Sequence, residues 1–293
     1  MRKRWRALIG SVAALLSLSL SGPVSAATAT TATTADIRAD SASDPVYFVP
    51  GYDRDDKPGV DCNEYWKPLP EAMRGWGWTG TFHKVGFYAG DTDSCDVRLA
   101  KGGQDVGIVE LGRQLANHIH DNYTSKGQTV DLVGHSMGGL VARAALTGVQ
   151  RKADGFPDSL LVDDVVTFDT GHKGVGLTEF CSTAQCRDMR SGSNFLTRWA
   201  LDNPQGKGGT DWTLLSLNEF WFDRVSERSA LGMNAAHFVH YYADSSLGHG
   251  NMPNKTTGTY RLRYRNAPDG WVVQRRGAAP GRVAANALYS SRW

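Results

Sequence analysis

The chain has 293 residues, enough for one large α/β domain with a sizeable core. Its formal net charge of +2 gives no strong positive field with which to hold nucleic acid, so a nucleic-acid partner is excluded from the expectations. Its four cysteines suit an oxidising compartment.

Residues 1–26 read as a signal peptide. Arg2, Lys3, Arg4 and Arg6 form a positive start, Ala7 to Leu20 is an apolar run, and Val24-Ser25-Ala26 is a small-residue cleavage site. A transmembrane anchor would need a longer apolar stretch. Export from the cell is therefore expected, with a secreted mature chain. Residues 27–44, rich in Ala and Thr with little to bury, read as a disordered leader, and residues 45–293 as the folded domain.

Pro45 to Val49 is a short apolar strand that runs into Pro50-Gly51-Tyr52. Thr79 to Phe87 is the core of a second strand. Asp105 to Tyr123 carries Val106, Ile108, Leu111, Leu115 and Ile119 at helical spacing, a crossover before the next strand. Thr129 to Val133 reads as a buried parallel strand, and Leu140 to Leu146 as a helix. Between them, Gly134-His135-Ser136-Met137-Gly138 fits the G-x-S-x-G nucleophile elbow. A strand turning sharply into a helix crowds the backbone, so glycine is needed on either side of the turn. The serine hydroxyl then points outward at a helix N-terminus, where the helix dipole and the free N–H of Met137 favour developing negative charge. The bland alternative is a glycine-rich turn with an N-cap serine. Leu160 to Phe168 is the next strand, with Asp169 to Gly174 as its exit loop. Thr210 to Leu217 and Ala236 to Ala243 are two more, the last followed by Gly248-His249-Gly250. Thr259 to Arg265 and Trp271 to Arg276, around Ala267-Pro268-Asp269-Gly270, read as an added hairpin.

With the elbow in this setting, the chain resembles secreted bacterial lipases and esterases of the α/β-hydrolase fold, of the class-2 triacylglycerol lipase type, over roughly residues 45 to 254. The resemblance implies a doubly wound, mostly parallel sheet, here with the C-terminal β-hairpin as an addition. It implies an oxyanion hole made by the backbone N–H groups of Tyr52 and Met137. Pro50 stands where the family usually has His, which costs a backbone donor but not one the hole uses. The segment from Gly174 to Trp199 resembles the family's Cys-containing stretch followed by small residues and an apolar helix, and either passes over the active site to shape the acyl pocket or is a passive surface excursion. Asp169-Thr170-Gly171-His172-Lys173-Gly174 resembles a family turn whose histidine is structural. Asp223, followed by Arg224 and Val225, matches the family's acid, and His249 stands in the place of its histidine loop.

A serine hydroxyl needs a base, and the base needs an acid to fix its tautomer. In α/β hydrolases these follow the order Ser, acid, His, which Ser136, Asp223 and His249 satisfy. Of the eight histidines, His83, His118 and His120 precede the serine, His135 lies in the elbow, and His172 comes early. His237 and His240 fall inside the last strand. Asp169, after its own strand, and Asp244, close to His249, remain rivals for the acid.

Three cysteine pairings are possible. Cys181–Cys186 closes a short loop and leaves Cys62–Cys95 as the other pair. No metal site is expected, since the spacing lacks a C-x-x-C unit and the acidic groups around Asp53 and Asp91 lack calcium-loop spacing. No cofactor is expected either. Phe220-Trp221-Phe222 is either pocket lining or core. Arg261, Arg263, Arg265, Arg275 and Arg276 make the hairpin basic, either as a solvated face or as a place for transient contact with an anionic lipid surface. The expected activity is hydrolysis of lipid-like carboxylic esters. The alternatives are an esterase or acyltransferase for a polar or polymeric ester, and an inactive extracellular binding module on the same scaffold.

Overall fold

The computed structural model describes residues 41–54, 59–99, 103–176, 182–219 and 225–290, all within one unit spanning Thr34–Trp293. The expected signal peptide and residues 27–40 of the expected leader lie outside them. The end of that leader is a correction, because it is tied to the domain. The amides of Thr79 and Gly80 donate to the carbonyl of Ala42 at 2.7 and 3.0 Å, and the Trp78 indole donates to the carbonyl of Asp44. Gly80 permits this approach, since a Cβ there would lie 2.0 Å from the Asp44 carbonyl oxygen.

Strand β1 (Val46–Val49) is buried on both faces, as a central parallel strand must be. Tyr47 and Val49 enter one core and Val46 and Phe48 the other, the period-two alternation of a strand. Helices α1 (Cys62–Trp66) and α2 (Pro68–Gly75) follow, with Asp61 accepting from the Asn63 and Glu64 amides to cap the first. They bring Trp66, Leu69 and Met73 onto the second core. Next come β2 (Phe82–Gly86), the short β3 (Val97–Arg98) and α3 (Ile108–Asn122). Ile108, Leu111, Leu115 and Ile119 form the buried stripe of α3.

Strand β4 (Val130–His135) leads through Ser136 into α4 (Met137–Gln150), which is buried almost all round. Gly112 of α3 sits hard against it, where a Cβ would lie 2.5 Å from the Ala144 Cβ. After β5 (Val162–Phe168) come α5 (Ala184–Met189) and a π-helical turn at Phe195–Trp199, in the segment where the resemblance implied small residues followed by an apolar helix. Then follow β6 (Asp211–Leu217), α6 (Glu227–Ala230) and β7 (His237–Tyr241).

The described residues form one sheet of nine strands, which also takes in β8 (Thr259–Asn266) and β9 (Val272–Ala278). Its order is β3-β2-β1-β4-β5-β6-β7-β8-β9, parallel as far as β7. The C-terminal hairpin is continuous with this sheet, because β8 pairs antiparallel with β7 and β9 with β8. The exposed arginines 275 and 276 guard the final edge. Helix α7 (Pro280–Ala287), not expected from the sequence, buries Val283, Ala284 and Ala287 on the second core. The architecture is that of an α/β-hydrolase-like protein, with a mostly parallel sheet between two cores.

Candidate active site

The strand order reverses between β1 and β4, and in open parallel sheets ligands bind at the carboxyl ends of the strands where this happens. Two loops meet there: Pro50-Gly51-Tyr52 after β1 and Ser136 after β4. Their approach is close, since a Cβ on Gly51 would stand 3.0 Å from the Ser136 Cβ.

Ser136 has φ 54° and ψ −122°, a strained backbone for a residue with a Cβ. Its flanking glycines explain how the turn is made. A Cβ on Gly134 would lie 2.5 Å from the Gly139 Cα, and one on Gly138 would lie 2.0 Å from the Val49 carbonyl oxygen. Ser136 precedes the first turn of α4 but makes no side-chain capping bond. Its hydroxyl is thus not spent on the helix, as an ordinary N-cap serine's would be. It lies 3.0 Å from Nε2 of His249, which begins the 3-10 turn His249–Asn254.

On the other side of that ring, Nδ1 of His249 lies 2.6 Å from Oδ2 of Asp169. Carboxylate accepts, so Nδ1 carries the proton and Nε2 is free to accept from Ser136. Asp223, the acid expected to serve the histidine, lies outside the described residues, and the imidazole's Nδ1 is bonded to its rival Asp169. Strand pairing explains why. β5 lies directly beside β4, with Phe168 opposite His135, and the Ser136 amide donates to the Phe168 carbonyl at 2.9 Å. Asp169 therefore leaves its strand at the level of Ser136 and one strand away. It has φ 45° and is 1% exposed. Burial raises its carboxyl above the ordinary range, and the hydrogen bond from His249 opposes this. Asp244, the third candidate, accepts from the amide and hydroxyl of Ser246 at 2.8 and 2.7 Å, a local loop bond.

Tyr52 lines the cleft beside Ser136. Met137 opens α4, where first-turn amides have no intrahelical acceptor. The cleft, of about 360 Å³, is also lined by Arg54, Tyr65, Val175, Met189 and Val225. The aromatic run Phe220-Trp221-Phe222 lies outside the described residues.

Two neighbours of the histidine escaped the sequence reading. The His249 amide donates to Oε1 of Glu219 at 2.8 Å. Tyr65 takes a bond from the Gly51 amide at 2.9 Å and bonds Nδ1 of His135, whose Nε2 lies 2.8 Å from the His249 carbonyl. Nothing in the spacing of Tyr65 marks it, because it acts from α1, a helix not read in the sequence.

The remaining histidines are packed elsewhere or lie at the surface. His172 is fully buried against the Thr167 hydroxyl, and its carbonyl accepts from Arg143, whose guanidinium burial pulls down to about 10. His237 bonds Asp211 and His240 bonds Ser216. His83 bonds Tyr123, His118 bonds Tyr47, and His120 meets Asp121.

Cys62 and Cys95 are joined, tying α1 to the approach to β3. Cys186 is also disulfide-bonded, while its expected partner Cys181 lies outside the described residues. The described acidic loops are used as caps: Asp53 accepts from the Gly59 amide, Asp91 from those of Val60 and Tyr88, and Asp93 pairs with Arg98.

Residues 83–178 match the family described as PGAP1-like alpha/beta domain. No curated protein matches the chain. Among solved structures, the chain is similar to the Bacillus licheniformis lipase BlEst2 in its propeptide form. The identity is 17%, over 71% of this chain and 47% of that one, with a TM-score of 0.46. This chain thus spans less than half the length of that lipase. It is also similar to a lipase-esterase related protein from Clostridium acetobutylicum, with 12% identity over 71% and 88% of the two chains and a TM-score of 0.44. Phospholipase PlaB from Legionella pneumophila gives 12% identity over 64% and 42%, also with a TM-score of 0.44. By its sheet order and its elbow the chain is α/β-hydrolase-like, and the third of it that carries the Ser136 turn is similar to the PGAP1-like alpha/beta domain.

Proposed function

We propose that the chain hydrolyses carboxylic esters through an acyl-enzyme on Ser136. The observation that carries this is the continuous relay from the Ser136 hydroxyl through the His249 ring to Asp169, at 3.0 and 2.6 Å. Serine alone is a poor nucleophile near neutral pH, and this arrangement supplies the base and orients it. His249 Nε2 takes the hydroxyl proton as Oγ bonds to the ester carbonyl carbon. The carbonyl oxygen, now negative, is held by the amides of Tyr52 and Met137. His249 passes the proton to the leaving alkoxide as the carbon–oxygen bond breaks. Water then enters, gives its proton to His249, attacks the acyl carbon and releases the acid, returning the proton to Ser136. Asp169 takes the role first expected of Asp223, stabilising the imidazolium that forms in each half.

The substrate we favour is a lipid-like ester whose acyl part lies against Tyr52, Val175, Met189 and Val225. A polar ester is the second reading, favoured by Asp53 and Arg54 at the same cleft. Export to an oxidising compartment is part of the proposal, supported by the Cys62–Cys95 bond and by the signal-like start of the sequence.

The test is a panel of nitrophenyl esters of rising chain length, run beside emulsified triglyceride and a fluorophosphonate probe. Wild type should turn over esters and take the label, and Ser136→Ala should do neither. Normal ester hydrolysis by purified Ser136→Ala would end the reading.

A further inference from the structure

We infer that Tyr65 and His135 are positioning residues that lock the oxyanion loop and the catalytic histidine to one another across the floor of the cleft. The inference rests on the serine-hydrolase reading and adds two residues to it.

The chain of bonds has a forced direction. The Gly51 amide can only donate, and it reaches the Tyr65 oxygen at 2.9 Å. The His249 carbonyl can only accept, and it lies 2.8 Å from His135 Nε2. Nε2 of His135 therefore carries a proton. Its Nδ1 is then an acceptor, filled by the Tyr65 hydroxyl. Every donor points the same way, from Gly51 through Tyr65 and His135 to His249. His135 must be the neutral Nε2–H tautomer for the chain to close. Its burial at 4% exposure agrees, since burial holds it well below the ordinary imidazole range.

The relay joins pieces that are remote in sequence. Gly51 immediately precedes Tyr52, the proposed oxyanion donor. His135 immediately precedes the nucleophile. The carbonyl that His135 holds belongs to the base itself, and the two imidazole rings lie 4.9 Å apart. A second strut acts from the same residue, because the Asn254 side-chain amide donates to the Tyr65 carbonyl at 2.9 Å and so pins the far end of the His249 turn. Donor loop, nucleophile and base thus hang from one half-buried phenol on α1. A shift of about 1 Å between reacting groups can cost on the order of a hundredfold in rate. Neither residue transfers a proton to substrate; the relay sets the spacing within which the transfers occur.

The experiment uses purified wild type, Tyr65→Phe, His135→Gln and His135→Leu. Readouts are kcat and KM on a nitrophenyl ester, the fluorophosphonate labelling rate, and inhibition by a trifluoromethyl ketone, whose adduct mimics the oxyanion. Tyr65→Phe should lower kcat by roughly ten- to a hundredfold with KM little changed. The ketone should lose affinity in proportion. His135→Leu should behave similarly, and His135→Gln, whose amide nitrogen can still donate to the His249 carbonyl, should recover most of kcat. A wild type that neither labels nor turns over esters overturns the hydrolase reading and this one with it. An active wild type with Tyr65→Phe at the same kcat and ketone affinity overturns the relay alone. So does His135→Gln no better than His135→Leu, and so does a loss that falls wholly on KM. If His135→Leu does not fold, Tyr65→Phe and His135→Gln still decide.

Discussion

Asp169 Oδ2 lies 2.6 Å from His249 Nδ1, although 80 positions separate the two residues. The bond is nearly sealed from water, with the aspartate side chain 1% and the histidine 12% exposed. In the proposed reaction it sets the tautomer of the base. Asp169→Asn should therefore leave the fold intact and lower kcat by on the order of 10⁴. Asp223→Asn should leave kcat close to wild type. Steady-state rates of the two variants check this, and the reverse ranking would return the acid to Asp223.

The Gly138 backbone lies beneath the end of β1, where a Cβ would meet the Val49 carbonyl oxygen at 2.0 Å. Gly138→Ala should force the elbow away from the oxyanion loop. We expect a loss of about 1–3 kcal/mol in stability, together with a larger relative loss of ester turnover. Thermal melts and fluorophosphonate labelling of the same preparation measure both.

Asp131 lies in β4 at the opposite end of the sheet from the cleft. It is 1% exposed, and its Oδ1 accepts from the Asp164 amide at 3.2 Å. Burial first, and then the nearby carboxylates of Asp164, Asp44 and Asp163, push its carboxyl well above the ordinary range. A group raised in this way holds its proton more tightly when folded. Its stabilisation is complete below the unfolded value of about 3.9 and is lost as pH rises through the folded value. Asp131→Asn keeps the acceptor and removes the charge. It should raise the melting temperature near pH 7–8 by about 2–4 °C, a gain that vanishes toward pH 4. Melts across that range are the measurement, and a variant less stable at pH 8 would refute the account.

The Cys62–Cys95 bond closes a loop with a sequence separation of 33 and anchors the helix that carries Tyr65. Replacing both cysteines by alanine should cost about 3–4 kcal/mol on the chain-entropy account. It should also lower kcat, because α1 then loses its covalent tie and keeps only its packing and hydrogen bonds. Urea melts and rates of the double variant test the two parts separately.

Local features were legible in the sequence and distant ones were not. The alternation in Val46–Val49, the stripe Ile108, Leu111, Leu115 and Ile119, and the strand at Val162–Phe168 are written in consecutive residues. Helices α1 and α7 were missed because each is short and begins without a long periodic stripe, and β3 because two residues leave no pattern. The leader was read too far, since residues 42–44 look polar and featureless but find their partners in residues 78–80.

At the site the same division holds. Gly134-His135-Ser136-Met137-Gly138 states its own geometry, because the clashes that demand its glycines arise from one sharp turn. The meeting of Asp169 with His249 could not be read that way. Both follow a strand, and motif resemblance favoured Asp223. What brings Asp169 to His249 is that β5, not β6, lies beside β4, with a register that sets Phe168 opposite His135. Which strands become neighbours depends on packing among residues far apart in the chain, and no short window of sequence contains it.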